Sequence, residues 1–252
     1  MLLSIAVPCY NEEANIPKLV NNLASVETAL KKKKHKIELI FVDDGSKDNT
    51  YSLLKKHYGK RKYVKVIKHK VNKNLGGALK TAFSNVSGDV VATVDADCTY
   101  DPKEITSMLK LLTSEVDLVV ASPYHPKGEV VGVPANRLIL SRGASLLYAL
   151  ASGSKLYTYT SMFRICKKHV VDNVRFKSNG FLAIGEFTLL SLIHGYTVKE
   201  YPTTLRTRTG GVSSIKWFSF KNYKKTMFYL ALEHLNFMSY IFLKRLTWKK
   251  RK

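Results

Sequence analysis

Apolar residues in this chain fall into short runs separated by longer stretches of mixed polarity. The runs are LLSIAVPCY from Leu2, IELIFVDDGS from Ile37, VKVIKH from Val64, DVVATVDAD from Asp89 and VDLVVASPY from Val116. Each is rich in Ile and Val and is bounded by turn-forming residues, as buried strands are. Between them lie residues 11–32, 48–60, 76–86 and 101–115, in which apolar positions recur at helical spacing. Strands alternating with helices predict βαβ units, hence an α/β, Rossmann-like, mainly parallel sheet flanked by helices. In such sheets ligands sit beyond the carboxyl ends of the strands. Pro8-Cys9-Tyr10, Asp43-Asp44-Gly45-Ser46 and Asp95-Ala96-Asp97 all fall there, so three strand ends are expected to converge on one acidic crevice.

After about residue 125 the pattern changes. GEVVGVPANRLILSRGASLLYALASG reads as a loop and then a helix beginning near Pro134, and LYTYTSMFRICKKHVV as a hairpin-like or strand-rich piece. NGFLAIGEFTLLSLIHGY reads as loop and helix, and TVKEYPTTLRTR as a strand. There is no repeat and no Gly/Ser linker. The expected organisation is one domain over residues 1–216 and a basic, aromatic tail over 217–252.

The chain has 252 residues, 45% of them hydrophobic, enough to bury a core. Cys9, Cys98 and Cys166 are widely spaced, which suggests neither a zinc site nor a disulfide framework and fits a reducing, cytoplasmic setting. MLLSIAVPCYNEE reads as a first strand, since its apolar part is short and lacks the basic leader of a secretory signal. Forty-one Lys and Arg against nineteen Asp and Glu give a formal charge of +22, which attracts polyanions: nucleic acid, anionic lipid or phosphorylated substrates. No RNP-like or helix-turn-helix pattern accompanies the charge, and a nucleic-acid module would leave the acidic strand ends unexplained, so nucleic acid is not the expected partner.

The candidate chemistry lies in those strand ends. On an extended strand, residues i and i+2 share a face, so Asp95 and Asp97 are expected to project together. Two like charges so close raise each other's pKa unless a cation intervenes. Mg²⁺ bound by one or two carboxylates and phosphate oxygens is one answer; capping of the helix that begins near Asp101-Pro102 is the other. No G-x-G-x-x-G follows the first strand and no G-x-x-x-x-G-K-[ST] occurs, which removes the main support for dinucleotide enzymes and P-loop NTPases. The seven histidines form no metal-binding pair.

VPCYNEEANI, FVDDGSKDNT, NKNLGGALKTAF, DVVATVDADCTYDP, GVPANRLILSRGASLLY and LRTRTGGVSS follow one another in the order seen in family 2 glycosyltransferases of the GT-A fold. The chain resembles most the dolichyl- or polyprenyl-phosphate mannose synthases among them, through Asn136-Arg137 and Ser141-Arg142. The resemblance spans roughly residues 3 to 216. It implies nucleotide-sugar binding by Pro8, Tyr10 and Glu12, base and ribose contacts at Val42 and Asp44, and a diphosphate site at Asp95, Ala96 and Asp97. It further implies Mg²⁺ or Mn²⁺ held by Asp95 and Asp97, and a phosphate-gripping Arg208. Arg137 and Ser141, one helical turn apart, would hold an acceptor phosphate, the other reading being a helix-start arginine and a small packing serine. Glu186 would orient the acceptor or serve as base for a hydroxyl acceptor, the other reading being a buried helix-start carboxylate. The implied reaction is inverting hexose transfer, of mannose or glucose from GDP-mannose or UDP-glucose, to a polyprenyl or dolichyl phosphate. The alternative is transfer to a sugar hydroxyl in polysaccharide or glycoprotein assembly. The chain departs from the family pattern at Thr99, Pro123 and Ser214, where Gln, Arg and Lys are common.

The tail is expected to lie on a membrane without crossing it. A spanning helix needs about 20 mainly apolar residues, but the stretch from Met227 to Leu243 is interrupted by Glu233, His234 and Asn236. Aromatic and aliphatic residues flanked by Lys and Arg suit an interfacial helix on anionic lipid. A helix packed on the domain, or a docking surface for a membrane-spanning partner, are the other readings. The expected location is the cytoplasmic face of a membrane, peripherally bound.

Overall fold

The computed structural model of the chain describes residues 1–208 and 223–249. The five apolar runs form β1 (Leu2–Cys9), β2 (Lys36–Asp43), β3 (Val64–Lys68), β4 (Val90–Thr93) and β5 (Leu118–Ser122). The stretches between them form α1 (Ile16–Lys32), α2 (Thr50–Tyr58), α3 (Asn74–Phe83) and α4 (Ile105–Leu111). β1 and β2 are buried almost throughout, because helices cover both faces of the sheet. Alternate residues then serve different cores: Leu3, Ile5 and Val7 of β1 join Leu39 and Phe41 of β2 on the α1 side, while Ala6, Ile40 and Val42 pack on the α3 side. α1 meets its core through Ile16, Leu19, Leu23, Val26 and Leu30, a stripe at three- and four-residue spacing.

The second half adds β6 (Glu129–Val131), α5 (Ala135–Ser152), β7 (Arg164–Lys167), α6 (Lys168–Asn173), α7 (Leu182–Ile193), β8 (Val198–Pro202), β9 (Thr204–Arg206) and α8 (Tyr223–Lys249). The main sheet runs β3-β2-β1-β4-β7-β5-β8, and β6 pairs with β9 in a separate two-stranded sheet. β7 is antiparallel to both neighbours, whereas the other pairs are parallel. The segment expected as a hairpin-like or strand-rich piece supplies a single strand inserted between β4 and β5. Arg164, Ile165 and Cys166 are buried there between β4 and β5, so pairing across the sheet wins over a local partner.

α3 approaches the loop before α7 unusually closely. A Cβ on Gly76 would stand 2.4 Å from the Ser178 carbonyl oxygen and 2.8 Å from the Ala183 Cβ. The Gly76 N–H donates to the Asn179 carbonyl at 2.7 Å, which fixes the loop carrying Gly180 and Phe181.

One face of α8 is packed on the domain. Phe237 and Met238 lie against the core and Ile241 is fully buried in it, while His234 stacks on Tyr148 of α5 and hydrogen-bonds its hydroxyl. Arg245 donates to the Leu150 carbonyl at 3.3 Å. His234, which interrupts the apolar stretch in the sequence, is thus a packing residue. Among the described residues no helix is long and apolar enough to cross a membrane. Ser214 and the rest of 209–222 lie outside the described residues.

Replacing Gly76 by Ala should force α3 and the 178–180 loop apart. A loss of about 1–3 kcal/mol is expected from such overpacking. Urea titration checks it, and an unchanged midpoint would show that the close approach relaxes freely.

Candidate functional site

The carboxyl ends of β1, β2 and β4 open into a cleft of about 530 Å³. Pro8 at the end of β1 lines it, Tyr10 and Glu12 follow β1 into it, Asp44 follows β2, and Asp95, Ala96 and Asp97 follow β4. Arg208 joins them from just beyond β9. Arg137, Leu138 and Ser141 of α5, Thr158, Thr160, Tyr124, Gly180 and Phe181 line the same cleft.

The two aspartates meet by a different device from the one the sequence suggests. β4 ends at Thr93, and Asp95 to Cys98 form a turn in which the Cys98 N–H donates to the Asp95 carbonyl at 3.2 Å. Cys98 takes a left-handed conformation, φ +52°. A turn, not the strand pleat, brings both carboxylates to the cleft. Asp97 accepts the Thr99 N–H at 3.1 Å, a local turn contact of the kind Asp favours. Helix capping falls instead to Asp101, which accepts the Lys103 N–H at 3.0 Å.

The acidic end is balanced by groups remote in sequence. Arg208 donates to the Glu12 carboxylate at 2.5 Å and lies 3.9 Å from that of Asp97. Burial raises Glu12 to about 7, opposed by Arg208 and by the Asn15 amide and reinforced by Asp97 and Asp48. Asp95 is pushed well up by burial, Asp97 and Glu12, against the nearby charge of Arg164. Arg164 is itself buried in β7, where its guanidinium donates to the carbonyls of Ser161 and Ile184 and to Thr188. Asp44 bonds the His69 ring at 2.6 Å and accepts the Lys73 N–H at 2.9 Å. Loops 10–13 and 44–50 are clamped together: the N–H groups of Asn11, Glu12 and Glu13 donate to Ser46, Thr50 and Asp48.

Among the described residues no group of three or more His, Cys, Asp or Glu side chains offers a complete ion cage. Asp95 and Asp97 still fit a hard divalent ion, because Mg²⁺ commonly takes one or two carboxylates and completes its shell with water and phosphate oxygens.

Two expected site residues do not line the cleft. Val42 is fully buried inside β2, on the α3 side of the sheet. Glu186 is buried in α7, where its two carboxylate oxygens accept the N–H groups of Lys177 and Ser178 at 2.8 and 2.9 Å. The place expected to hold an acceptor base instead holds the brace of the loop that carries Phe181. Sequence reasoning also missed Thr158, Thr160 and Arg206, which line the cleft from the segment before β7 and from β9. Ser141 hydrogen-bonds Thr160 at 2.9 Å, and Arg142 stacks over Tyr124 at 5.0 Å. Nothing in the local pattern around Thr158 and Thr160 marks them; only the strand insertion of β7 brings that segment to α5.

A sequence profile described as "Glycosyl transferase family 2" matches residues 4–175. The chain is similar to a dolichol-phosphate mannosyltransferase of Pyrococcus furiosus, 30% identical over 86% of this chain and 60% of that protein. It is also similar to a polyprenol monophosphomannose synthase of Mycolicibacterium smegmatis, 27% identical over 90% of this chain and 84% of that one. An undecaprenyl-phosphate 4-deoxy-4-formamido-L-arabinose transferase of Yersinia enterocolitica is 30% identical over 68% of this chain and 50% of its own length. The chain thus spans only about half to four-fifths of the relatives it matches. Among solved structures, glucosyl-3-phosphoglycerate synthase from Mycobacterium tuberculosis, with Mn²⁺, uridine diphosphate and phosphoglyceric acid, superimposes with a TM-score of 0.66 at 18% identity, over 92% of this chain and 78% of that one. TarS of S. aureus with UDP-GlcNAc gives 0.59 at 21%, over 98% and 72%. These likenesses establish the GT-A-like fold.

Two outcomes follow from the electrostatics. Glu186→Ala strands two backbone N–H groups, and charged hydrogen bonds of this kind contribute about 1.5–3 kcal/mol each. A clear drop in the urea midpoint is expected, and an unchanged midpoint would mean that the loop finds other acceptors. Glu12 binds its proton more tightly folded, at about 7, than unfolded, near 4.5. Its contribution to stability therefore declines as pH rises between those values. Glu12→Gln should flatten the decline, read from urea midpoints at pH 5 and pH 8; a steeper fall in the variant would contradict the raised pKa.

Proposed function

The chain belongs to glycosyl transferase family 2, and on that premise we propose that it moves a hexose from a nucleotide sugar to the phosphate of a polyprenyl or dolichyl lipid, inverting the anomeric carbon. The observation that carries this reading is one cleft lined by both an acidic and a basic set of side chains. Acidic groups with Arg208, and Arg137 with Ser141 of α5, line one and the same cleft. The donor, GDP-mannose or UDP-glucose, would lay its diphosphate along Asp95, Asp97 and Arg208. A guanidinium suits that task because it grips phosphate oxygens in a bidentate fork. Bound Mg²⁺ or Mn²⁺, held by Asp95 and Asp97, would supply charge balance for the departing nucleoside diphosphate.

The acceptor phosphate is already anionic near neutral pH, so its oxygen attacks the anomeric carbon as the bond to the diphosphate breaks, and no proton need be removed. Arg137 would hold the acceptor phosphate while Ser141 and Thr160 offer hydroxyls. A sugar-hydroxyl acceptor would instead require a base. Glu186, the residue suggested for that role, has both carboxylate oxygens engaged by backbone N–H groups and stands outside the cleft lining, which favours the phosphate. Similarity to the dolichol-phosphate mannosyltransferase of Pyrococcus and the polyprenol monophosphomannose synthase of Mycolicibacterium supports the same acceptor class. In this reading the chain works peripherally at the cytoplasmic face of a membrane.

The test is incorporation of label from GDP-mannose and UDP-glucose, side by side, into organic-extractable lipid. Label from neither donor on any polyprenyl phosphate would end the proposal. Asp97→Asn or excess EDTA should abolish turnover with the fold intact by circular dichroism; full activity in EDTA would remove the metal. Arg208→Ala should weaken donor use by roughly 10- to 150-fold, as expected for losing charged hydrogen bonds of about 1.5–3 kcal/mol. Arg137→Ala and Ser141→Ala should impair transfer while sparing nucleotide affinity in a titration; equal loss of that affinity would put them in the donor site.

A further inference from the structure

The loop before α7 is held more firmly than a surface loop requires. The two carboxylate oxygens of Glu186 accept the N–H groups of Lys177 and Ser178. Lys80 of α3 donates to the Lys177 carbonyl at 2.6 Å and to the Asn179 side-chain oxygen at 2.8 Å. The Gly76 N–H donates to the Asn179 carbonyl at 2.7 Å, and the Gly180 N–H to the Ser178 hydroxyl at 3.1 Å. The residue that follows this brace is Phe181. It is 44% exposed, belongs to neither apolar core of the described residues, and lines the cleft. A single exposed ring on a surface is ordinary. A ring carried into a cleft by backbone that is fixed at each of residues 177–180 is built to meet a ligand.

The neighbours of the ring indicate which ligand. Phe181 has helical angles, φ −66° and ψ −25°, at the start of α7, so it shares a helix face with Gly185, four residues on. A Cβ on Gly185 would stand 2.7 Å from the Tyr148 ring, which turns that face toward α5, the helix that brings Arg137 and Ser141 to the cleft. The brace ties the same loop to α3. Leu75 and Ala78 of α3 line the cleft, and Lys73 just before it donates its N–H to Asp44 at the end of β2. Phe181 therefore sits where the helix assigned to the acceptor and the segment beside the donor strand ends are joined. The group that lies between donor diphosphate and acceptor is the hexose. One face of a hexose ring is lined by C–H bonds, which suit the negative face of an aromatic ring. A polyprenyl chain fits less well, because hydrophobic burial is non-directional and has no use for a fixed ring. We propose that Phe181 is the platform on which the transferred hexose stacks. This rests on the nucleotide-sugar reading of the cleft and not on the identity of the acceptor.

The experiment is a calorimetric titration of the full chain, in Mn²⁺ and without acceptor, with GDP-mannose, UDP-glucose, GDP and UDP. Phe181→Leu keeps apolar bulk and removes the aromatic face. It should lower affinity for the sugar nucleotide that the wild type binds by roughly three- to tenfold, and leave affinity for the matching nucleoside diphosphate unchanged. Phe181→Met, a second ring-free side chain, should behave alike, while Phe181→Tyr should keep both wild-type affinities. Urea midpoints should stay at the wild-type value in all three. Equal loss of affinity for sugar nucleotide and diphosphate would set the ring against the nucleotide and overturn the proposal. Unchanged affinities in both ring-free variants would overturn it too, and a raised KM for polyprenyl phosphate in them would then assign the ring to the lipid chain. Wild-type protein that binds neither sugar nucleotide overturns the platform together with the donor reading. The transfer assay judges the acceptor separately. The expected loss in the ring-free variants, with no transfer to any lipid phosphate, supports the platform and removes that acceptor; transfer with unchanged titrations does the reverse.

Discussion

Glu12, Asp44, Asp95 and Asp97 share one edge of the sheet, and the mutual repulsion of carboxylates in that confined space is what the surrounding structure has to relieve. At the effective dielectric of a protein surface, unit charges a few ångströms apart interact by several kcal/mol. Each carboxylate has a partner drawn from another part of the chain: Arg208 for Glu12 and Asp97, His69 and the Lys73 N–H for Asp44, and the charge of Arg164 for Asp95. The relief is incomplete. Burial first, and the neighbouring carboxylates after it, still hold Glu12 and Asp95 above their ordinary range, so their charged forms would gain from a cation.

The two short strands outside the main sheet matter more than their length suggests. β6 and β9 pair in parallel, and the Thr207 N–H donates to the Val131 carbonyl at 3.0 Å. β6 leads within a few residues into the first turn of α5 and so to Arg137, while β9 leads directly to Arg208. One small sheet therefore fixes the approach of both arginines to the cleft. The Arg206 N–H, donating to the Thr99 carbonyl at 3.0 Å, ties the same sheet to the turn that carries Asp95 and Asp97.

α5 links the cleft to the protein surface. Its inner side supplies cleft residues and the Tyr148 contact to α8, and its outer side is aliphatic. The inner side is held by neighbours, through Ser141 to Thr160 and through Tyr148 to His234.

The sheet was legible in the sequence because period and composition are local properties. Runs such as LLSIAVPCY and IELIFVDDGS must be buried on both faces, and parallel pairing follows from the helices between them. The acidic strand ends were legible for the same reason, since topology alone sends them to one edge. What the sequence could not contain is the geometry made by distant segments. The turn at Asp95 to Cys98 replaced an assumed strand pleat, and of the hairpin-like and strand-rich readings for the segment around β7 the single strand between β4 and β5 is the one formed. Glu186 spent its oxygens on backbone donors several residues earlier in the chain, and Val42 faced the core instead of the cleft. The outward apolar face of α5 was invisible too, because hydrophobic spacing reports that a helix has two faces and not which of them the core will take. That choice belongs to tertiary packing, where Tyr148 found α8 and Ser141 found Thr160, leaving Ile139, Leu146 and Leu150 outside.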